Sequence, residues 1–347
     1  MRSYIQTFTV RKRVPLTISR HTTSETRNVW VRVDQDGIEG WGEASPFSIG
    51  EQPQTTEIII AALQQIAPML EKFTPTEGQQ IEQLFRETQL PSAARAAIDI
   101  ALHDWLGKRV GLPLWQMWGL NRQAIVPISV TIGISTPEDA RQRVRDWLQV
   151  VSARFFKVKL GSPDGIAADR AMLMAVQEEA PDAQLSVDAN GGWNLQQAMQ
   201  MCNWLAQYGV KYVEQPLPRG READLPALKE CSPVPIFVDE SCFTSRDIPK
   251  LADCVHGINI KLMKSGGLTE AMRMVHTARA CGLQIMFGCY SDSCLSNTAA
   301  AQLSPLADYL DLDSHLNLID DPFTGAVVQS NCLLPNDLPG LGVYAKT

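Results

Sequence analysis

Eight charged residues stand at or just past the ends of short apolar runs: Lys157 and Lys159, Asp188, Glu214, Asp239, Lys261, Asp311 and Asp313. The steps are 29 residues from Lys159 to Asp188, then 26 to Glu214, 25 to Asp239 and 22 to Lys261. Each step is about one strand–helix unit long. Taken singly, any of these residues is as readily a helix cap or a solvated strand end. Repeated in register, they describe side chains that converge at one mouth of a closed parallel sheet.

Three carboxylates brought together repel one another when ionised, so Asp188, Glu214 and Asp239 call for a hard dication with oxygen ligands. Magnesium fits best and manganese is a possible substitute. Two lysines on opposite sides of such an ion suit proton transfer at a carbon acid. A bound carboxylate chelates the ion while the enolate forms. A lysine serves as base only when its pKa falls well below the free value of about 10.4. In Lys157-Val158-Lys159 the two lysines point to one face of a strand, so the charge of Lys157 acts to depress Lys159.

The elements that must position these groups are legible upstream of each. The runs IVPISVTI, RFFKVKL, QLSVD, VKYVE, PIFVD, GINIK, LQIMF and DYLDLD are eight β segments alternating with helical stretches. Strands separated by single helices pair in parallel through right-handed crossovers, and eight such units close into a barrel. Before them, VWVRVD and IEGWGEA flank Gln35-Asp36-Gly37, a hairpin signal in a small antiparallel sheet. Thr55 to Leu70 and Ala93 to Gly107 then show helical periodicity, closed by Gly111-Leu112-Pro113. The expected fold class is α/β, with an α+β N-terminal capping domain over 1–122 and a modified TIM barrel over 123–317. The tail, 318–347, is rich in Pro and Gly and lacks the pattern of an eighth barrel helix. The barrel is therefore expected to be (β/α)7β-like, with the tail returning to the N-terminal sheet.

Composition narrows the function. The chain has 347 residues, 45% hydrophobic and 20% charged, and a net charge of −7. That leaves no basic field for a phosphate backbone, and nucleic acid is not expected as a partner. The first 17 residues are broken by charges, and no stretch approaches the roughly 20 apolar residues that span a bilayer. A soluble, cytoplasmic protein without a membrane partner is expected. The eight cysteines form no Cys-x-x-Cys pair and read as reduced thiols. Neither phosphate-loop fingerprint occurs, which argues against a nucleotide-dependent phosphotransferase.

With these residues in view, KVK at 157–159, DANGGW at 188–193, EQP at 214–216, DES at 239–241 and IKLMKSGG at 260–267 resemble the enolase superfamily, muconate-lactonizing subgroup. The resemblance covers nearly the whole chain. It implies Asp188, Glu214 and Asp239 as magnesium ligands and Lys159 and Lys261 as acid/base catalysts on the two faces of the α-carbon, with Lys157 supporting Lys159. The mandelate-racemase subgroup would offer a late histidine, and GCYSDSC at 288–294 contains none.

Asp311-Leu312-Asp313 resembles the Asp-x-Asp signature of dipeptide epimerases, whose carboxylates bind the substrate α-ammonium. This implies epimerisation of a dipeptide at its second residue, with L-Ala-D/L-Glu as working substrate. An N-terminal loop at about 15–25 is expected to close over the mouth, where Arg20 would meet a substrate carboxylate. Asp292 stands where relatives often have Glu, which bears on the first-residue pocket. Alternatives on the same scaffold are muconate cycloisomerase, o-succinylbenzoate synthase and N-acylamino acid racemase. A non-catalytic metal-binding module is a further class. Such enzymes often form homo-oligomers.

Overall fold

The computed structural model describes residues 1–49 and 53–346. Strands β1 (Arg2–Thr17), β2 (Thr22–Gln35) and β3 (Ile38–Ala44) form an antiparallel sheet in that order. Asp36 and Gly37 join β2 to β3 with φ of 55° and 74°. That pair of positive φ values is what a two-residue hairpin matched to strand twist requires. Val29, Val31 and Val33 alternate into the core. Helices α1 (Thr56–Leu70), α2 (Gly78–Glu87) and α3 (Ser92–Val110) follow. The Ala-rich α3 lies directly on β3, and a Cβ at Gly40 or Gly42 would come within 2.0 Å of Ala101 O or 1.9 Å of Ala97 O. The expected helices correspond to α1 and α3. The intervening α2 buries only Ile81 and Phe85, too narrow an apolar stripe to stand out in the sequence.

The second layer is an eight-stranded parallel sheet: β4 (Val130–Ile132), β5 (Phe155–Lys159), β6 (Gln184–Asp188), β7 (Val213–Glu214), β8 (Ile236–Val238), β9 (Gly257–Ile260), β10 (Gln284–Gly288) and β11 (Tyr309–Asp311). Every run singled out in the sequence holds one strand. The sheet closes where Ser129 N donates to Leu310 O at 2.7 Å, just before β4. Seven crossovers contain helix, and β11 is followed only by the 3₁₀ turn Ser314–Asn317. The tail then lays Phe323 against the sheet, its ring 5.6 Å from Phe8 and 5.9 Å from Trp41. Among the described residues no helix is long and apolar enough to cross a membrane, and all eight cysteines are free.

Inside the barrel, inward positions change character along each strand. Phe155, Tyr212, Phe237 and Met286 form a separate buried cluster with Tyr309 packed on it. Two residues further along come Lys157, Glu214, Asp239, Gly288 and Asp311. Cap and barrel are tied by carboxylates that cap barrel helices. Asp99 of α3 accepts from Thr269 N at 3.0 Å, at the start of the helix Leu268–Ala280. Glu43 of β3 accepts from Ser293 N and Ser296 N, both at 3.0 Å, at the start of Cys294–Ala301. Both bring carboxyl oxygens to helix N-termini, whose free N–H groups need acceptors.

Candidate active site

Strand order arranges the charged side chains in a row. Lys159 on β5, Asp188 on β6, Glu214 on β7, Asp239 just past β8 and Lys261 just past β9 occupy successive positions around the mouth. Lys159 Nζ lies 2.5 Å from Asp188 Oδ2, and Lys261 Nζ lies 2.9 Å from Asp239 Oδ2. A lysine thus stands at each end of three acids. Lys157, two residues before Lys159 on the same face, is fully buried; its Nζ is 2.6 Å from Glu214 Oε2, 2.6 Å from Asp311 Oδ2 and 3.3 Å from Asp188 Oδ2.

Residues that sequence reasoning gave no role hold this row in place. Lys264 Nζ donates to Asp239 Oδ1 at 2.6 Å and to Asn259 O at 3.0 Å. Its signal was a second lysine three residues after Lys261, on a one-turn helix that brings both ammonium groups to Asp239. Asn259 donates to Glu214 Oε1 at 2.7 Å. Gln215 accepts from Asp239 N at 2.9 Å and so fixes the turn after β8. Asn190, with φ of 43°, donates its backbone N–H to Asp188 Oδ1 at 2.8 Å. Asparagine tolerates that left-handed conformation better than most side chains.

Burial works against every charge here, and neighbours decide the outcome. Asp188 is brought down to about 2 because Lys159 and Lys157 outweigh its burial. Lys261 and Lys264 likewise hold Asp239 below the usual carboxylate range. Glu214 goes the other way, up to about 7, pushed by burial and by Asp188 more than Lys157 restrains it. Lys157 is buried, yet Asp311, Glu214 and Asp188 raise its pKa well above that of a free lysine, and Asp239 does the same for Lys261.

Two cavities meet at the row. A cavity of about 400 Å³ is lined by Arg20, Phe47, Lys159, Asp239, Lys261 and Tyr290, among others. A smaller one of about 130 Å³ is bounded by Thr131, Arg143, Lys159, Asp311 and Asp313. Asp311 is held by Lys157, whereas Asp313 accepts from Thr131 N at 2.6 Å and is pushed up to about 6 by burial and by Asp311. Arg20 reaches the mouth from the β1–β2 turn. Asp292 lines neither cavity: it lies in the seam between cap and barrel, accepting from Ser45 Oγ and from Tyr290 N. His315, half-buried after the Asp pair, has a ring nitrogen, Nδ1, without a partner.

The donors suit a hard dication. Asp188, Glu214 and Asp239 supply only carboxylate oxygens from consecutive strands, and Glu214 Oε2 is buried without a well-directed hydrogen bond although Lys157 is close. Among the described residues no three acidic, His or Cys side chains are gathered at metal-holding distances, since each acid is turned toward a lysine.

Residues 2–119 match the N-terminal domain of mandelate racemase / muconate lactonizing enzyme, and residues 138–346 match the enolase C-terminal domain-like family. The chain is 45% identical over 348 residues to a hydrophobic dipeptide epimerase of Roseobacter litoralis, covering 99% of this chain and 98% of the relative. It superposes on the L-Ala-D/L-Glu epimerase of Bacillus subtilis, in a substrate-liganded complex, with a TM-score of 0.93 and 29% identity, over 99% of this chain and 98% of that one. A dipeptide epimerase from Enterococcus faecalis, complexed with Mg and L-Leu-L-Tyr, gives 0.91 and 28% identity over the same shares, 99% and 98%. The chain belongs to the enolase superfamily, within the mandelate racemase / muconate lactonizing enzyme family and beside its dipeptide epimerases.

Proposed function

We propose that this protein is a magnesium-dependent dipeptide epimerase that inverts the α-carbon of the second residue by two-lysine proton transfer. The observation that carries the reading is the row itself: a lysine at each end of three acids, with the Asp311–Asp313 pair bounding the adjoining cavity. Named relatives with dipeptide epimerase activity, and the Mg-complexed structure above, support the substrate class and the ion.

In this reading Asp188, Glu214 and Asp239 hold the magnesium, which supplies positive charge beside the substrate carboxylate where negative charge collects when the α-proton leaves. With those acids on the ion, Lys159 and Lys261 would be released from their carboxylate partners, so that one could take the α-proton while the other, protonated, returns one to the opposite face. The two exchange roles for the reverse direction, so no net proton is consumed. Lys157 keeps Asp311 ionised and adds positive charge beside Lys159. Asp311 and Asp313 receive the α-ammonium of the first residue, which the rival substrates of this scaffold lack. In this reading the second residue sits between the lysines and its side chain enters the larger cavity.

The test is incubation of the protein and magnesium with dipeptides in D₂O, with mass spectrometry scoring a one-dalton gain at the α-carbon. Uptake that is lost with EDTA and restored by magnesium is expected. Uptake by N-acylamino acids but by no dipeptide would contradict the reading and leave the Asp pair structural.

A further inference from the structure

The β1–β2 turn does more than cover the mouth. Its backbone is anchored where Ile134 N donates to Thr17 O at 2.9 Å, beside the loop after β4. From this anchor the turn reaches two other barrel loops. Ser19 Oγ donates to Asn190 O at 3.1 Å, Arg20 Nη1 to the same oxygen at 2.6 Å, and Arg20 Nη2 to Glu240 Oε1 at 2.8 Å. Asn190 and Glu240 lie two residues and one residue beyond Asp188 and Asp239. Asn190 Nδ2 also donates to Glu240 Oε1, at 3.3 Å. The fork of the guanidinium is thereby spent within the chain, clamping together the loops that follow two of the three acids.

The partner makes this clamp hard to release. Glu240 is 3% exposed, and withdrawing Arg20 would leave a buried carboxylate without its counter-charge, a loss far greater than the small gain of an exposed ion pair. Of the other basic residues on the larger cavity, Lys159 and Lys261 face the acid row, Lys12 donates to Ser291 Oγ at 2.9 Å, and His21 follows Arg20 in the turn. Apolar surface completes the wall, from Leu16, Ile18 and the stack of Phe47 on Tyr290, with centroids 4.8 Å apart. Glu25 stands on the same wall.

We propose that Arg20 is a latch that positions the β1–β2 turn through Glu240 and is not a receptor for a substrate carboxylate, so that the second-residue pocket selects uncharged side chains. This rests on the dipeptide epimerase reading. An acidic side chain drawn to Arg20 would have to take it from Glu240 and sit near Glu25. A neutral one fills the apolar wall with the latch intact.

The test compares kcat and KM for L-Ala-L-Leu and L-Ala-L-Glu, scored by α-deuterium uptake, in the wild type, Arg20→Met and Glu240→Gln. The wild type should favour L-Ala-L-Leu by about 100-fold or more, the scale of stranding one buried charge. Arg20→Met should lower kcat/KM for L-Ala-L-Leu about tenfold, mainly through KM, the loss of a pair of charge-assisted hydrogen bonds from a closing element. Glu240→Gln should release Arg20 and raise the Glu-to-Leu ratio about tenfold, an opposite change that mere loss of structure would not give. Faster amide deuterium exchange at residues 18–22 in both variants is the readout independent of turnover. A wild type that prefers L-Ala-L-Glu, with Arg20→Met losing that substrate alone, overturns the latch and leaves the epimerase reading standing. Absence of exchange with either dipeptide and with a wider dipeptide panel overturns both.

Discussion

The floor and the mouth of the barrel are built from the same strands, two residues apart, and they solve opposite problems. On the floor, Tyr212 packs 4.9 Å from Phe237 and 4.6 Å from Tyr309 between ring centroids, with its hydroxyl 3.1 Å from Met286 Sδ. At the mouth, the next inward residues are almost all ionisable and buried: Lys157 and Glu214 are 0% exposed, Asp239 1%. A dry floor gives the charged layer no water from below, so each charge must be met by another side chain or by an ion. The floor stores stability, and the mouth holds charges whose partners can be exchanged. Damage to the two layers should therefore register differently, in stability below and in rate above.

The largest effect is expected from the ends of the acid row. Lys159→Ala and Lys261→Ala should each reduce epimerisation by about 10³-fold or more, the range for removing a positioned general acid or base; because each also leaves a buried acid short of a cation, little change in melting temperature is expected only in excess magnesium, which coupled rate and calorimetric measurements check. Lys157→Met should damage both properties. It leaves Asp311, Glu214 and Asp188 without their shared cation, at a stability cost of about 3–5 kcal/mol. Chemical denaturation in EDTA and in excess magnesium measures that cost, and magnesium should recover part of it because bound ions stabilise the folded state.

Tyr212→Ala sharpens the contrast from below. Removing a fully buried aromatic ring should cost about 3–5 kcal/mol, while the folded fraction keeps its rate within about tenfold, a small change beside that of the lysine variants. A rate loss equal to that of Lys159→Ala would mean that floor and mouth are not separable. The smallest effect concerns His315, whose pKa burial lowers to about 4 from the usual 6.5. The unfolded chain binds this proton first as pH falls, so stability is fully present above pH 6.5 and declines as pH drops toward 4. His315→Gln should flatten a slope of at most about one proton in that window, measured as denaturation midpoint against pH.

Much of this was legible before any coordinates. β-branched and aromatic runs punctuated by turns located all eight barrel strands, because a strand buried on both faces shows as a continuous apolar run, although β4 fills only 3 residues of IVPISVTI and β7 only 2 of VKYVE. The charged residues at the strand ends were equally visible, since one residue type in a fixed place recurs with the length of a structural unit. Contacts between loops were not. Nothing in the spacing of Arg20 and Glu240 shows that they meet, nor does the position of Lys264 in IKLMKSGG show that its ammonium meets Asp239. Asp292 was visible as a polar residue after the seventh strand, but its contact with Ser45 across the seam was not. Helix α2, with two buried residues in ten, was hidden by its own polarity.

The most direct test of the central claim is the stereochemistry of exchange in the single lysine variants. Lys159→Ala and Lys261→Ala are incubated in D₂O with each epimer of an accepted dipeptide, and α-proton exchange is followed separately from epimer formation. The account predicts that each variant exchanges the α-proton of one epimer only, that the two variants favour opposite epimers, and that neither forms product. Epimerisation at the wild-type rate by either variant would contradict it.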